Sequence, residues 1–515
     1  MIRPEGAPST HLPAALLVPA VAVSAVALIP LAYIVVLGVQ TGLATFIELT
    51  FRPRVFELFA NTVALLVLAV PACASIGVAA AWVVERTDVP GRRALAVLLA
   101  APLVIPAFVV SYGWISVVPS LHGLPAGVLI STLAYYPFVY LPVVATLRRL
   151  DPTLEEVGAS LGRNPRRVAF GVVLPQLRLP ILGGSLLVGL HLLAEYGAFA
   201  MLRFDTFTTA ILQQYRSTFN GPAAASLASV LVLCCFALLL VENAARGGAR
   251  YARVGSGAAR PRPPMQLGRA GVPTAALLGA LLVLAVGVPL LSIARWLLRG
   301  GIAVWADDRL VQALAQTTAL AASGAILTVV LAVPIAILVV RFGSRTSRAL
   351  EATNYVTSAL PGIVVALALA SVAIRLVEPL YQTVVVLLLA YMLLFMPRAL
   401  VNLRSGIAQV PVGLEEVAQS LGKKPVVAFL RVTARLAAPA GLAGAALVFL
   451  GIVNELTATL LLGPNGTRTL TTQFWSHVND LDFASAAPYA FLMVLLSIPM
   501  VALLFRASQG SISHG

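Results

Sequence analysis

Apolar runs without charge alternate with short basic segments along almost the whole chain. Residues 6–47 carry no charged side chain, and residues 94–147 extend this pattern over a stretch too long for one helix. A charge at the middle of a bilayer costs about 3 kcal/mol, and roughly 20 apolar residues cross the hydrocarbon core. The pattern therefore predicts transmembrane helices, and the turn formers at 119–125 divide the long run into two of them.

Twelve spans follow from this pattern, in two series of six. They lie near 16–39, 58–84, two within 94–147, 179–202, 220–241, 271–294, 313–340, 352–374, 379–400, 437–463 and 484–505. Six is an even number, so the second series enters the membrane from the same side as the first. We expect an all-α polytopic membrane protein with about 12 transmembrane helices in a parallel 6+6 repeat.

Composition and charge agree with a membrane protein and argue against other classes. Only 11% of the 515 residues are charged and mean hydropathy is +0.94, whereas soluble proteins carry roughly a quarter charged residues. The net charge of +15 is spread between apolar runs rather than clustered as a nucleic-acid footprint, so no nucleic-acid partner is expected. The basic bias of alternate loops predicts that both termini are cytoplasmic.

An internal repeat interrupts the apolar pattern twice. LEEVGASLGRNP at 154–165 and LEEVAQSLGKKP at 414–425 match at eight of twelve positions, 260 residues apart (414 − 154 = 260). The predicted organisation has a first six-helix repeat at 1–245 with a loop at 148–178, and a second at 271–515 with a loop at 401–436. A Gly/Arg/Pro-rich linker at 246–270 joins the two repeats.

Each repeated segment predicts a short helix, a glycine turn and a second, basic helix. Asp151 can cap the first helix with Pro152 at its first position, and Gly162 and Gly422 stand where a helix ends in a left-handed residue. An apolar stripe follows the helical period at Leu154, Val157 and Leu161. We therefore expect the acidic residues to face water or a partner.

These residues resemble the cytoplasmic loop of ABC-importer permeases, with the pattern E-A-A-x-x-x-G-x(9)-I-x-L-P. Glu156, Gly162 and Pro175 fit the pattern; Glu416 and Gly422 fit in the second copy, but Ala434–Arg435 replaces its Leu-Pro. In this family the loop inserts into a cleft on the ATP-hydrolysing subunit. The resemblance thus implies ATPase-coupling residues at Glu155, Glu156, Gly162, Pro165, Glu415, Glu416, Gly422 and Pro425.

The resemblance extends over the whole chain and implies the remaining partners. Segments such as PLVIPAFVVSYGW (102–114) and NELTATLLL (454–462) are similar to the fused, two-copy permeases of ferric-iron importers, although thiamine and some other permeases are similarly fused. The implied partners are two ATPase subunits and an extracytoplasmic binding protein, and the implied location is a bacterial plasma (inner) membrane. No GxxxxGK[ST] phosphate loop occurs in this chain, so ATP and Mg²⁺ are expected on the partner ATPases and no cofactor on this chain.

Two acids lie well inside predicted spans, at equivalent positions. An ionisable residue at such depth usually faces a cavity or a partner. One hypothesis is that they line the translocation path, where carboxylate oxygens suit a hard cation. The alternative is a pair of hydrogen-bonded acids that lock helices together. The candidate path residues are Glu195, Tyr196, Asn454, Glu455 and Thr457, and no metal ligand is assigned.

Two rival functions remain open on the sequence alone. A secondary transporter of the major facilitator type also has twelve spans in a parallel repeat, and DVPGRRA (88–94) faintly resembles its acidic-glycine-basic loop. A membrane-embedded enzyme is the other rival, but the spans show no metal motif and no nucleophile–base pair. We therefore expect a permease subunit that is not itself an enzyme.

Overall fold

The computed structural model describes residues 12–150, 153–217, 221–246, 264–357 and 359–510. Its first-copy helices are α1 Ala14–Thr41, α2 Leu43–Thr50, α3 Pro53–Arg86, α4 Arg92–Leu98, α5 Ala107–Val117, α6 Gly123–Tyr135, α7 Pro137–Leu147, α8 Thr153–Ser160, α9 Pro165–Val168, α10 Leu174–Gln176, α11 Arg178–Ala194, α12 Gly197–Met201, α13 Phe207–Ser217 and α14 Gly221–Arg246. The predicted cap at Asp151–Pro152 and linker residues 247–263 lie outside the described part.

The second copy has twelve helices among the described residues. It contains α15 Gly271–Leu282, α16 Val288–Gly300, α17 Asp308–Ile337, α18 Arg345–Thr357, α19 Gly362–Leu376, α20 Val384–Ala408, α21 Val412–Ser420, α22 Pro425–Ala428, α23 Ala434–Val453, α24 Thr457–Leu462, α25 Leu470–Asn479 and α26 Phe483–Gly510. Single π-helical turns join several neighbours, at Ala169–Val173, Val283–Gly287, Leu338–Phe342 and Phe429–Thr433.

Membrane-spanning helices dominate the described residues, which confirms the all-α polytopic fold. Eight helical runs are long and apolar enough to span a bilayer, and three bent pairs bring the number to eleven. A shorter apolar helix, Phe483–Pro499, lies at the last predicted span. The bends measure 92° between Arg92–Val104 and Ala107–Val117, and 104° between Arg345–Thr357 and Gly362–Leu376. Pro106 and Pro361 stand directly before the second helix of each pair. Proline cannot continue the preceding hydrogen-bond ladder, so the first helix of each pair ends there and the chain bends.

The compact units of the structure differ from the two predicted repeats. Unit 2 runs Ile47–Leu298, whereas unit 1 combines the segment up to Phe46 with the segment from Arg299 onwards. The first helix of each repeat therefore packs with the helices of the other repeat. Sequence repetition marks two equivalent series of helices, but it does not show which helices share a core.

Polar contacts hold the exchanged helices in place. Within unit 1, the Asn354 side-chain amide donates to Ser24 Oγ at 2.9 Å, and the Thr357 hydroxyl donates to the Ala27 carbonyl of α1 at 3.1 Å. Within unit 2, the Ser292 hydroxyl of α16 donates to the Gly113 carbonyl at 2.9 Å. These bonds satisfy buried polar groups that would otherwise destabilise the spans.

Candidate functional site

The two repeated segments form matching helical hairpins, here named hairpin 1 (153–176) and hairpin 2 (412–433). Gly162 has a φ of 75° and Gly422 a φ of 80°, which confirms the predicted left-handed turns. The amide of Arg163 closes the first turn on the Gly158 carbonyl at 3.2 Å. In hairpin 2 the equivalent Lys423 amide closes on Ala418, also at 3.2 Å. Such bonds are the Schellman pattern that ends a helix.

The hairpins differ after the turn. Pro165 and Pro425 each begin the second helix. In hairpin 1 the following pair Ala169–Gln176 and Arg178–Ala194 is bent by 57°, and Pro175 lies just before this bend. Hairpin 2 has Ala434 and Arg435 at the equivalent place, and its helix runs Pro425–Val453 as one span. The departure from the family's Leu-Pro therefore removes a bend.

The first glutamate of each LEEV segment points inward rather than toward water. Glu155 forms an ion pair with Arg86, with Oε1 2.9 Å from Nη2 and side-chain exposures of 4% and 12%. Glu415 accepts from Arg341 Nη2 at 3.0 Å and from the Thr433 hydroxyl. The expectation that both acids of each pair face water or a partner is wrong for Glu155 and Glu415.

The second glutamate faces outward, beside apolar side chains. Glu156 and Glu416 are exposed. Val157 and Leu161 in hairpin 1 are 51% and 72% exposed, and three apolar side chains of α21 and its C-terminal end repeat this pattern. These are Leu414, Val417 and Leu421. Each hairpin thus presents one carboxylate within an exposed apolar surface, which marks an interaction site rather than a core.

The first glutamate within a predicted span occupies a break between two helices. Glu195 follows α11, and its Oε1 accepts from the Ala198 amide of α12 at 2.9 Å. Its Oε2 accepts from the Tyr135 hydroxyl at 2.7 Å. Tyr196 lies half-buried in the same break. The span predicted at 179–202 is therefore two helices, and the carboxylate caps the second.

Glu455 repeats this arrangement between α23 and α24. Its Oε1 accepts from the Thr457 hydroxyl at 2.7 Å and from the Ala458 amide at 2.8 Å. Asn454 precedes it, half-buried at the end of α23. Both glutamates thus stabilise helix starts inside predicted spans. This geometry favours the locking alternative, while the path role stays a prediction.

Threonines at the starts of α13 and α25 contact both breaks. The Thr208 hydroxyl donates to the Glu195 carbonyl at 2.6 Å, and the Thr471 hydroxyl donates to the Glu455 carbonyl at 3.2 Å. Both threonines are buried. Their hydroxyls therefore fix the starts of α13 and α25 to the broken helices.

Sequence reasoning missed the arginines that hold the hairpins. Arg86 and Arg341 lie just after the second predicted span of each copy. This equivalent position in the two copies is the sequence signal that could have identified them. It also missed a clamp on the linker, where the Leu267 amide donates to Asp88 Oδ1 at 2.8 Å. Asp88 is the acid of DVPGRRA, so the structure assigns it a structural contact. Among the described residues, no group of three His, Cys, Asp or Glu side chains could hold a metal ion.

Two copies of a docking-type hairpin on a polytopic helical scaffold define a two-copy transport permease. The family of the "binding-protein-dependent transport system inner membrane component" matches residues 40–247 and 311–509. The chain belongs to this family of ABC-importer permeases, in its fused two-copy form. Both matches begin after the first predicted span of each copy. Membership decides against the major facilitator and enzyme alternatives.

Relatives of this chain fall into fused and single-copy permeases. The Fe(3+)-transport system permease protein FbpB 2 of Haemophilus influenzae is 37% identical over 474 residues, 91% of this chain and 93% of the relative. The sulfate transport system permease protein CysW of Synechocystis sp. is 28% identical over 35% of this chain and 73% of its own length. CysW of Escherichia coli K12 is 24% identical over 42% of this chain and 81% of its own length.

Proposed function

We propose that this chain is the channel subunit of an ATP-driven importer that takes ferric iron from an extracytoplasmic binding protein and moves it into the cytoplasm by alternating access. The iron assignment is supported by the 37% identity to an Fe(3+)-transport permease over nearly the full length of both chains. Import of thiamine or another small solute, such as sulfate, is the alternative within the same class.

The orientation and the partners follow from the charges and the hairpins. The excess of arginines on one set of loops supports cytoplasmic N- and C-termini, which places hairpins 1 and 2 in the cytoplasm. Two equivalent hairpins require two ATPase subunits. ATP and Mg²⁺ bind to those subunits, and their closure carries the hairpins together.

The outward faces of the hairpins carry this proposal. Glu156 and Glu416 each supply one carboxylate for a cationic group of the ATPase, and the apolar side chains beside them are desolvated on docking. Burying an exposed valine or leucine contributes roughly 1.5–3 kcal/mol. An exposed acid alone would be a solvated surface residue, whereas an acid inside a twice-repeated apolar patch indicates a built contact.

Charge reversal tests the docking surface. Glu156→Lys and Glu416→Lys together are expected to abolish co-purification of the ATPase, because each places a like charge against its cationic partner and within an apolar contact. Glu378→Lys is the matched control, since Glu378 is equally exposed but lies between α19 and α20, outside the hairpins. Retention of the ATPase by the doubly reversed variant would contradict the docking role.

Reconstitution tests the substrate. The permease, its cognate ATPase and its cognate binding protein are assembled in vesicles, and ATP hydrolysis is measured with Fe³⁺, thiamine or sulfate. The proposal expects stimulation by Fe³⁺ alone. Stimulation by thiamine or sulfate without a response to Fe³⁺ would replace the iron assignment and leave the importer class intact.

The broken spans are the proposed sites of the translocation path. Glu195 and Tyr196 lie at one break, and Asn454, Glu455 and Thr457 lie at the other. Interrupted helices in transporters place backbone and carboxyl groups beside the transported solute. The opening of these breaks during alternating access would expose the carboxylates that now cap α12 and α24.

A further inference from the structure

The helix α3 carries polar contacts at both of its ends. At its C-terminal end, Arg86 binds Glu155 of hairpin 1 at 2.9 Å. At its N-terminal end, Arg54 Nη2 binds Asp205 at 2.6 Å, and the Asn61 side-chain amide donates to the Asp205 carbonyl at 3.0 Å. One helix of 34 residues, about 50 Å long, thus joins the docking hairpin to the loop before α13.

The helix α17 and its π-helical extension make equivalent contacts in unit 1. Arg341 binds Glu415 of hairpin 2 at 3.0 Å. Near the other end, the Arg468 amide donates to Gln316 Oε1 at 2.8 Å, and Arg468 Nη1 donates to Gln312 Oε1 at 3.2 Å. The chemistry of this end differs from that of α3, but the positions of the contacts are the same.

The loops at the far ends continue to the broken spans. Asp205 directly precedes the threonine segment whose Thr208 is bonded to the Glu195 carbonyl. Arg468 directly precedes the segment whose Thr471 is bonded to the Glu455 carbonyl. A continuous series of bonded groups therefore runs from each hairpin, along one helix, to the break in a second span.

We propose that α3 and the α17 run are rods that transmit hairpin movement across the membrane, with Arg86 and Arg341 as inner tethers and Arg54 and Arg468 as outer tethers. This inference rests on the proposed function and names residues that touch neither ATP nor substrate. The inner tethers are mostly buried, with Glu155 4% and Arg86 12% exposed and with Glu415 17% and Arg341 15% exposed. Their charges are therefore screened less than those of surface pairs such as Arg54 and Asp205, which are about half exposed. The rods move with the hairpins because breaking such a pair leaves an unpaired buried charge.

A second route exists along the chain itself, since each hairpin leads directly into the helix that ends at the break. In hairpin 1 this covalent route contains the 57° bend. A helix acts as a rod only if the loss of its tether weakens transmission while the covalent route is intact. Mere proximity of the contacts is not enough.

The experiment compares tether variants in the reconstituted complex of permease, cognate ATPase and Fe³⁺-loaded binding protein. Arg86→Gln is expected to retain the ATPase and its basal hydrolysis but to lower the stimulation by binding protein about tenfold, within the roughly 5–150-fold typical of coupling between sites. Arg54→Gln is expected to act in the same direction. Arg148→Gln is the matched control, because Arg148 binds the neighbouring Glu85 of α3 at 2.7 Å rather than a hairpin carboxylate.

Combining the variants distinguishes a series connection from independent structural roles. If both tethers serve one rod, Arg54→Gln with Arg86→Gln lowers stimulation no further than Arg86→Gln alone, whereas independent effects multiply. Exchange of the charges in Arg86→Glu with Glu155→Arg is expected to restore stimulation, and thermal unfolding checks that each variant is folded. Multiplied effects, or loss of ATPase binding together with stimulation, would overturn the rods. A wild-type complex without stimulation would contradict the proposed function and the rods with it.

Discussion

Replacement of Gly422 by alanine tests whether ATPase docking depends on the turn of hairpin 2. The φ of 80° lies in the left-handed region, and a Cβ built on Gly422 would meet no heavy atom within 4 Å. Steric overlap with neighbours therefore contributes nothing. The cost is confined to the backbone of a left-handed alanine, about 1–2 kcal/mol.

This cost converts directly into an expected loss of affinity. If the ATPase binds only the left-handed turn, alanine lowers the competent population of the free hairpin, and the apparent affinity falls with that population. At 1.4 kcal/mol per tenfold change, docking weakens about 5- to 30-fold. Gly422→Asn is expected to lose less, since asparagine tolerates this conformation better than alanine.

The assay is titration of the purified ATPase against the permease in nanodiscs. Gly413→Ala supplies the matched control, because Gly413 lies in α21 without a positive φ and also has open space around its Cβ position. Alanine is favourable at such a helical site, so the control binds as tightly as wild type. Equal affinities for Gly422→Ala and wild type would refute the dependence of docking on the turn.

Two further predictions concern the broken spans. The double variant Glu195→Gln with Glu455→Gln keeps an acceptor oxygen for each helix cap but removes the charge. A path role therefore predicts loss of Fe³⁺-dependent uptake with little change in the melting temperature. Unchanged uptake would leave only the capping role. Gly362→Val adds a side chain where a Cβ would already lie 3.3 Å from Glu455 Oε1 and 3.1 Å from Thr457 Oγ1. We expect Gly362→Val to lower the free energy of unfolding by about 1–3 kcal/mol, measured as a lower melting temperature, and Gly362→Ala to lower it less. Equal stability of wild type and both variants would show that the cap adapts freely.

The hairpins show how far sequence patterns reach. Apolar periodicity, the glycine and the proline predicted the helix, the left-handed turn and the second helix in both copies, because all three signals are local. The same reasoning placed the acids toward water or a partner. It was wrong for Glu155 because Arg86, 69 residues earlier (155 − 86 = 69), supplies a buried cation, and no local pattern contains that partner.

The span breaks were missed for a related reason. A window without charge measures whether a segment tolerates lipid, and it does not register where the hydrogen-bond ladder stops. At Glu195 and Glu455 the side chain that seemed costly inside a helix is the group that satisfies the amides of the next one. An acid in such a span is therefore a signal of interruption as much as of a pathway.

The exchange of first helices gives the fused chain a physical role beyond carrying two copies. In unit 1, α1 supplies Ser24 Oγ and the Ala27 carbonyl to Asn354 and Thr357, which are 1% exposed. A second copy folded without α1 would leave Asn354 and Thr357 with only their bonds to the Leu350 and Thr353 carbonyls of their own helix, and exposing polar side chains to lipid is expensive. Each copy is thus incomplete alone, and a covalent connection guarantees that both completing helices are present in equal number. Fusion stabilises each unit by supplying its missing helix at high effective concentration.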